Sequence, residues 1–467
     1  MGSIAPSGGT PITLSESHSR YAISPDSKWV VFSDNNGLYR VPLNGGTVTQ
    51  LATYRQDNVW DIFTISSNSR YVVYIASASN KLYSVPIDGG PSVQLGAQIA
   101  ERYVSNQYRI SPDNRRVIYI TNSDSQPEIY SISIQGGTAT MIDTALPECQ
   151  SAFCFTISSD SKHIVYLTNP DPANTKKVVL ASAPIAGGAP TTLVGPLPIR
   201  RVGEWRTETA TISSVQISAD SRWVVYRANL DTEDNEELYS VPLAGGSVVK
   251  LNKQLPPDED VKQFYILADN TVLYHTLQDT PGSAELFTTP ITGGALTKRN
   301  DPLTLGGAVR SPVRLTPDGK SVVYVASQDI RNVDLYIANV APLRPGFAAP
   351  GATVADTAGS YPISVRLDQP PEQAVTVTYT TGGSAVEGVD YSIGAGIGTA
   401  ATGTLTFAPG EISKTILVQL KPNPAALGPR TLVVNLSSND VDLSGAETFT
   451  LTITNSNKGV FLPQVIR

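Results

Sequence analysis

The chain has 467 residues, a formal net charge of −7 and a low share of charged residues, 16%. This length allows two or three domains, and the lack of any run rich in Lys and Arg argues against nucleic acid as a partner. No stretch of about 18 apolar residues occurs, which predicts no transmembrane segment, and no signal peptide is recognised after Met1.

A repeated unit fills the first three quarters of the chain. Each copy begins with a short strand and a turn whose acid or amide recurs every 42 to 60 residues, near the period of a four-stranded propeller blade. A small or amide residue follows each turn residue, in a position that favours left-handed backbone. The turn residues are Asp26, Asn68, Asp113, Asp160, Asp220, Asp269 and Asp318.

Three further strands complete each unit. In the first copy they are the apolar run at residues 29–32, the segment at residues 38–41 and, after a Gly-Gly turn, the more polar residues 47–51. Continuous apolar runs are typical of strands buried on both faces, as in blades packed around an axis. Adjacent glycines suit a tight hairpin.

The seventh copy, which starts at Val313, stops after its third strand at Val340. Residues 8–14 match the segment at residues 45–51 that leads into the fourth strand. We therefore predict that the N-terminal strand completes the last blade and closes the ring, which removes an open sheet edge. The alternative is a flexible leader. Together the repeats predict a seven-bladed β-propeller over residues 1–340.

The unit resembles the WD40-like repeat of TolB-type β-propellers. The motifs S-P-D-x-K/R, before the apolar run, and L-Y-x-V-P-I-x-G-G carry the resemblance over residues 8 to about 340. The resemblance implies a fold rather than an activity, because such propellers serve as binding platforms, enzyme lids and structural modules.

Two cysteines, Cys149 and Cys154, lie in the loop that enters the fourth unit. We predict a small disulfide across this short gap, and with it an oxidising compartment. The alternative is two unrelated thiols.

Insertions in the later units are candidate binding loops. Residues 194–211 place Trp205 among arginines, either as an interaction patch or as packing over a blade edge. Residues 230–237 offer Asp231, Asp234 and Glu236 as oxygen ligands for Ca²⁺. A solvated acidic loop without any cofactor is the favoured interpretation.

A different pattern begins after a Pro- and Gly-rich linker at residues 341–350. Residues 351–456 alternate apolar and polar side chains, for example at Val375, Val377 and Tyr379. Such alternation predicts an antiparallel, Ig-like β-sandwich.

This second domain resembles a Calx-β module through residues 383–391, 403–411 and 414–418. The resemblance implies a calcium site, but residues 421–430 carry no carboxylate and leave Glu387, Asp390 and Asp356 as the candidate ligands. We therefore expect a structural module with weak calcium binding or none.

The tail, residues 457–467, contains an extra apolar strand. It resembles the short terminal F-L-P-x-V segments of some secreted bacterial proteins. Packing on its own sandwich or linker, fraying, and strand addition to a neighbouring subunit all fit this segment. Its apolar residues are Val460, Phe461, Leu462, Val465 and Ile466.

No G-x-S-x-G motif occurs, and His18, His163 and His275 match no metal-binding spacing. We predict a non-enzymatic, extracellular or cell-surface protein that is structural or binds protein partners. It would self-assemble into a surface fibre through the C-terminal strand or the sandwich. The alternative is a propeller that binds a glycan or another small ligand at its channel mouth. A hydrolase or lyase ranks below both.

Overall fold

The chain is all-β. Its described residues form strands and no helix, so no helical membrane span is found among them. Contacts divide the chain into two compact units, Met1–Val340 and Ala341–Arg467. The computed structural model describes residues 2–3, 12–13, 20–34, 36–53, 63–76, 81–96, 103–122, 127–144, 146–147, 153–171, 177–202, 206–231, 235–280, 282–300, 303, 307–327, 333–340, 343–371, 374–393, 402–426, 428–438, 441, 443 and 447–455.

The strands of the first unit are, in chain order, β1 (Gly2–Ser3), β2 (Ile12–Thr13), β3 (Arg20–Ile23), β4 (Trp29–Asp34), β5 (Gly37–Pro42), β6 (Thr49–Thr53), β7 (Phe63–Ile65), β8 (Tyr71–Ala76), β9 (Lys81–Pro86), β10 (Val93–Leu95), β11 (Tyr103–Ile110), β12 (Arg116–Asn122), β13 (Glu128–Ser133), β14 (Thr140–Asp143), β15 (Phe155–Ile157), β16 (His163–Thr168), β17 (Val179–Pro184), β18 (Thr191–Val194), β19 (Ile199–Val202), β20 (Arg206–Thr209), β21 (Ile212–Ile217), β22 (Trp223–Ala228), β23 (Glu237–Pro242), β24 (Val249–Lys250), β25 (Gln263–Ile266), β26 (Thr271–Thr280), β27 (Ser283–Pro290), β28 (Thr297–Lys298), β29 (Ala308–Leu315), β30 (Ser321–Ser327) and β31 (Asp334–Asn339). Those of the second unit are β32 (Pro345–Phe347), β33 (Gly351–Ala355), β34 (Ser360–Leu367), β35 (Val375–Gly383), β36 (Tyr391–Ile393), β37 (Thr402–Phe407), β38 (Ser413–Leu420), β39 (Arg430–Ser437) and β40 (Thr448–Thr454).

Each repeat of the first unit folds into one antiparallel sheet whose strands follow one another in chain order. Six sheets have four strands and the last has three. We number them sheet 1 (β3–β6), sheet 2 (β7–β10), sheet 3 (β11–β14), sheet 4 (β15–β18), sheet 5 (β21–β24), sheet 6 (β25–β28) and sheet 7 (β29–β31).

The turn between the first two strands of each sheet confirms the predicted chemistry. In sheet 1, Ser24 Oγ donates to Asp26 Oδ1 at 2.6 Å, and the same carboxylate oxygen accepts the Lys28 N–H at 3.2 Å. These bonds fix the turn and leave the next residue in the left-handed region. All seven such positions have φ between 58° and 70°: Ser27, Ser69, Asn114, Ser161, Ser221, Asn270 and Gly319.

Hydrophobic clusters join each sheet to the next. Between sheets 1 and 2, for example, Leu38 and Val31 pack with Phe63 and Val72. Comparable clusters continue through to sheet 7. The second strands of sheets 1 to 6 have continuous buried runs, as their apolar sequences predict, whereas β30 of sheet 7 alternates buried and half-buried residues.

The predicted fourth strand of sheet 7 is not paired there in the described part of the chain. Ile12 and Thr13 pair with Ser3 and Gly2 instead. The prediction of closure by the N-terminal strand is therefore corrected, and the outer edge of β31 has no described partner strand. The match of residues 8–14 to residues 45–51 predicts a strand but does not choose its partner, because backbone hydrogen bonds can form with any available edge.

The second unit contains a four-stranded sheet, in the order β32-β34-β38-β36, and a five-stranded sheet, in the order β33-β40-β39-β35-β37. One hydrophobic core holds side chains from both sheets, among them Val365 and Leu451.

Two predictions for this unit need correction. The strand β33 runs parallel to β40, whereas all-antiparallel pairing was expected. Alternation of side chains does not reveal this, because it is the same in parallel and antiparallel strands. In addition, Pro345–Phe347 pairs with β34, so part of the predicted linker belongs to the second unit.

Candidate functional site

The acidic insertion of sheet 5 uses its carboxylates in ion pairs. The Lys250 ammonium lies 3.0 Å from Asp231 and 2.5 Å from the buried Glu237. Glu236 lies 3.3 Å from the Arg227 guanidinium. Two of the three proposed calcium ligands therefore already have cationic partners, and Asp234 lies outside the described residues.

The same insertion is bonded to the loop at residues 256–261. The Glu236 N–H donates to Asp260 Oδ1 at 2.8 Å, and Asn235 Nδ2 donates to the Pro256 carbonyl at 2.5 Å. Arg227 Nη1 donates to the Val261 carbonyl at 2.7 Å. Side chains of Asp260, Asn235 and Arg227 thus hold the two loops together.

The carboxylates of the second unit surround an arginine. Arg430 Nη1 lies 2.7 Å from Asp390 Oδ1, and Arg430 Nη2 lies 3.7 Å from Asp356 Oδ2. Asn423 Nδ2 also donates to Asp390 Oδ1, at 2.6 Å. Both aspartates are almost fully buried, at 1% and 2% exposure. A guanidinium therefore stands between the carboxylates that the resemblance assigned to calcium.

Glu387 does not join this cluster through any hydrogen bond between described residues, and its Oε2 is buried without a partner there. Across the described ranges, no group of three or more His, Cys, Asp and Glu side chains is arranged to hold a metal ion.

The buried histidine of sheet 6 is held on both ring nitrogens. His275 Nε2 lies 3.0 Å from the Val309 carbonyl and Nδ1 lies 3.1 Å from Ser311 Oγ. Burial lowers the pKa of His275, so the neutral ring is favoured. These contacts link sheets 6 and 7 and give the ring a packing role.

Several predicted site residues lie outside the described part of the chain: Cys149, Trp205, Val460, Phe461, Leu462, Val465 and Ile466. Cys154 is described and buried. Because its predicted partner Cys149 is not described, the disulfide stays a prediction. Among the described residues of the insertion at residues 194–211, β19 pairs with β20.

The first exposed surface of interest lies on sheet 7. Leu335 is 71% exposed, and Ile337 on the same strand is 67% exposed. The residues equivalent to Leu335 in the other sheets are all 0% exposed: Leu38, Leu82, Ile129, Leu180, Leu238 and Leu286. Sheet 7 therefore presents an apolar face that every other sheet buries.

Sheet 1 presents the complementary face. Tyr21 is 54% exposed, whereas its equivalents on sheets 2 and 7, Phe63 and Val313, are 3% and 1% exposed. Val30, Phe32 and Val41 of sheet 1 form a small cluster that includes no described residue of another sheet.

A second surface is a polar cleft of about 660 Å³ at the turns of sheets 2 and 3. Arg70, Arg115 and Arg116 line it together with one carboxylate, Asp113, and the ring of Tyr71. The prediction from sequence missed this cleft, although two departures from the repeat mark it: an amide at position 68 and an arginine at position 116.

No family model and no curated protein matches this chain. Among solved structures, it is similar to a TolB-like protein from Agrobacterium tumefaciens, at 17% identity over 54% of this chain and 83% of that one, with a TM-score of 0.32. It is also similar to an oligogalacturonate lyase from Vibrio parahaemolyticus, at 12% identity over 69% and 90%, with a TM-score of 0.37.

The chain is also similar to the apo-form Calx CBD1 domain, at 20% identity over 25% of this chain and all of that one, with a TM-score of 0.22. These scores are low, so the architecture described above rests on the strand pairings of the chain itself.

Proposed function

We propose that the seven sheets are blades of one β-propeller and that the two sheets of the second unit form a β-sandwich. The exposed faces of sheets 7 and 1 support ring closure, because Leu335 and Tyr21 occupy the positions that pack together at the other blade interfaces. Hydrogen bonds between the turns of neighbouring sheets also support ring closure. The Asp26 N–H donates to Ser69 Oγ of the next sheet at 3.0 Å, and the Asp113 N–H donates to Ser161 Oγ at 2.9 Å. In a closed ring the Asp318 N–H would donate to Ser27 Oγ.

We further propose that the protein is a non-enzymatic, extracellular scaffold that assembles with copies of itself. The observation that carries this proposal is the outer edge of β31, which has no partner strand among the described residues. A free edge offers a row of backbone donors and acceptors to an added strand. The apolar tail at residues 459–466 of a second copy is the strand that we assign to it.

Side-chain chemistry favours this occupant. Ile337 on β31 is 67% exposed and would contact apolar side chains of an added strand. The tail supplies Val460, Phe461 and Leu462 in succession. A head-to-tail contact of this kind propagates into a fibre when its rotation does not close a ring.

The bonds of three buried polar groups support the proposal of a non-enzymatic protein. His275 is bonded on both nitrogens, and Glu237 and Asp390 are each held by a cation. These groups stabilise packing in the arrangement described.

The test is electron microscopy and light scattering of the full chain beside a version that ends at Asn457. We expect fibres from the full chain and single particles from the truncated chain. A matched variant, Ile337→Lys, keeps the tail but places a charge on the edge strand, and we expect it to abolish fibres as well. Monodisperse monomers from the full chain would overturn the assembly proposal.

Ring closure has a separate test in the stability of Leu335→Ala. A side chain as exposed as Leu335 would lose little on truncation, whereas one buried at a closed interface would lose about 2–5 kcal/mol. We expect the larger loss, measured by denaturant unfolding of the version that ends at Asn457, with Leu238→Ala as the buried reference. A loss below about 0.5 kcal/mol would mean that sheets 7 and 1 do not pack.

A further inference from the structure

We propose that the polar cleft at the turns of sheets 2 and 3 binds an anionic glycan through Arg70, Arg115 and Arg116. This site is separate from the edge of β31, and the proposal does not depend on self-assembly. The cleft contains three guanidinium groups and one carboxylate, in a protein whose net charge is −7.

The excess positive charge arises from one substitution in the repeat. In five of the other six sheets the turn residue is an aspartate followed two positions later by a basic residue, as in the 3.5 Å pair of Lys28 and Asp26, while sheet 6 has Thr271 after Asp269. Sheet 2 has Asn68 at this position. Arg70 therefore has no carboxylate in its own turn.

The turn forms with either an amide or a carboxylate side chain at this position. Ser66 Oγ donates to Asn68 Oδ1 at 2.8 Å, and Asn68 Oδ1 accepts the Arg70 N–H at 3.1 Å. The carboxylate of Asp113 accepts the equivalent bonds in sheet 3, from Ser111 Oγ at 2.6 Å and the Arg115 N–H at 3.1 Å. The two turns have equivalent hydrogen bonds, and they differ in the charge of the side chain that accepts them.

A second departure adds another cation. Arg116 occupies the position that holds a ring in four sheets: Trp29, Tyr71, His163 and Trp223. Its Nη1 donates to Ser131 Oγ at 3.1 Å, which fixes the guanidinium at the cleft. None of Arg70, Arg115 and Arg116 forms an ion pair with another described residue, so their charge remains available to a ligand.

The other lining groups match a saccharide. Tyr71 offers a half-buried ring whose hydroxyl accepts from Gln135 Nε2 at 3.0 Å, and Asn114 and Ser161 add polar groups at the wall. Rings and amides bind sugar rings and hydroxyls, while guanidinium groups pair with carboxylate or sulfate. The cleft volume of about 660 Å³ suits a few sugar residues of a glycan chain.

The test is titration calorimetry of the full chain with two matched pairs of polymers. Polygalacturonate is compared with its fully methyl-esterified form, and dextran sulfate with dextran. We expect salt-sensitive binding of at least one anionic polymer and none of its neutral counterpart. Binding of polygalacturonate alone assigns a carboxylate ligand, and binding of dextran sulfate alone assigns a sulfate.

Three variants locate the site. Asn68→Asp restores the common turn residue, and Arg115→Gln removes an exposed guanidinium; each should weaken binding about tenfold. Arg222→Gln is the matched control, since it removes the equivalent charge beside Asp220 and should change the affinity less than about twofold.

Unchanged melting temperatures would show that all three variants remain folded. Failure to bind either anionic polymer, equal binding of the neutral forms, or equal weakening by Arg222→Gln would overturn the proposal.

Discussion

Replacing Arg430 by methionine tests the charge balance inside the second unit. The substitution keeps a long side chain but removes the cation from between Asp390 and Asp356, at 2.7 Å and 3.7 Å. Both aspartates are at most 2% exposed, so water cannot replace the guanidinium without opening the core. Removing one partner of a buried ion pair costs about 3–5 kcal/mol. For a unit of this size the melting temperature should fall by more than about 10 °C.

The assay is differential scanning calorimetry of the full chain at neutral pH, in which only the transition of the second unit should move. Lys414→Met is the matched control, because Lys414 forms a partly exposed pair with Glu411 at 2.8 Å and should lose less than about 1 kcal/mol. Adding Asp390→Asn to Arg430→Met should recover part of the loss, since one buried charge is then gone. If Arg430→Met shifts the transition no more than the control, the buried pair does not stabilise the unit.

Three further predictions concern ions, pH and redox state. Calcium and EGTA should leave both calorimetric transitions unchanged, because Arg430 and Lys250 already neutralise the candidate carboxylates; a clear rise with calcium would contradict this. Burial lowers the pKa of His275 below 6.5, so its contribution to stability should be complete above pH 6.5 and decline as the pH falls through and below that value. Denaturant titrations at pH 7.5 and 5.5 should show this decline, and His275→Gln should reduce it. Mass spectrometry without reductant should find Cys149 and Cys154 joined; two alkylated thiols would remove the argument for an oxidising compartment.

Much of the first unit could be predicted from local sequence. The Pro-Asp-Ser type turns have the expected left-handed residue in all seven copies. In six of them a hydroxyl two positions before the turn residue acts with the small residue after it over a few bonds, whereas sheet 6 has Leu267 in place of the hydroxyl. Ser24 and Asp26 show this in sheet 1. The apolar runs likewise predicted strands buried on both faces. The parallel pairing of β33 with β40 was missed, since alternation carries no information on strand direction.

The candidate sites were less predictable, because they depend on contacts between distant segments. Asp231 and Glu236 look like metal ligands in sequence, but Lys250 and Arg227 arrive from neighbouring strands and pair with them. The cleft at Arg70 became recognisable only when the turns of two sheets were placed side by side.

The sequence by itself determined the number of repeats, the chemistry of their turns and the burial of their central strands. These properties follow from residues a few positions apart, repeated in each copy. Only the tertiary structure decided what each copy packs against. Leu335 and Leu38 occupy the same repeat position, yet one is 71% exposed and the other fully buried. The physical reason is that burial of a leucine depends on whether a neighbouring sheet covers it, and no local motif encodes that neighbour.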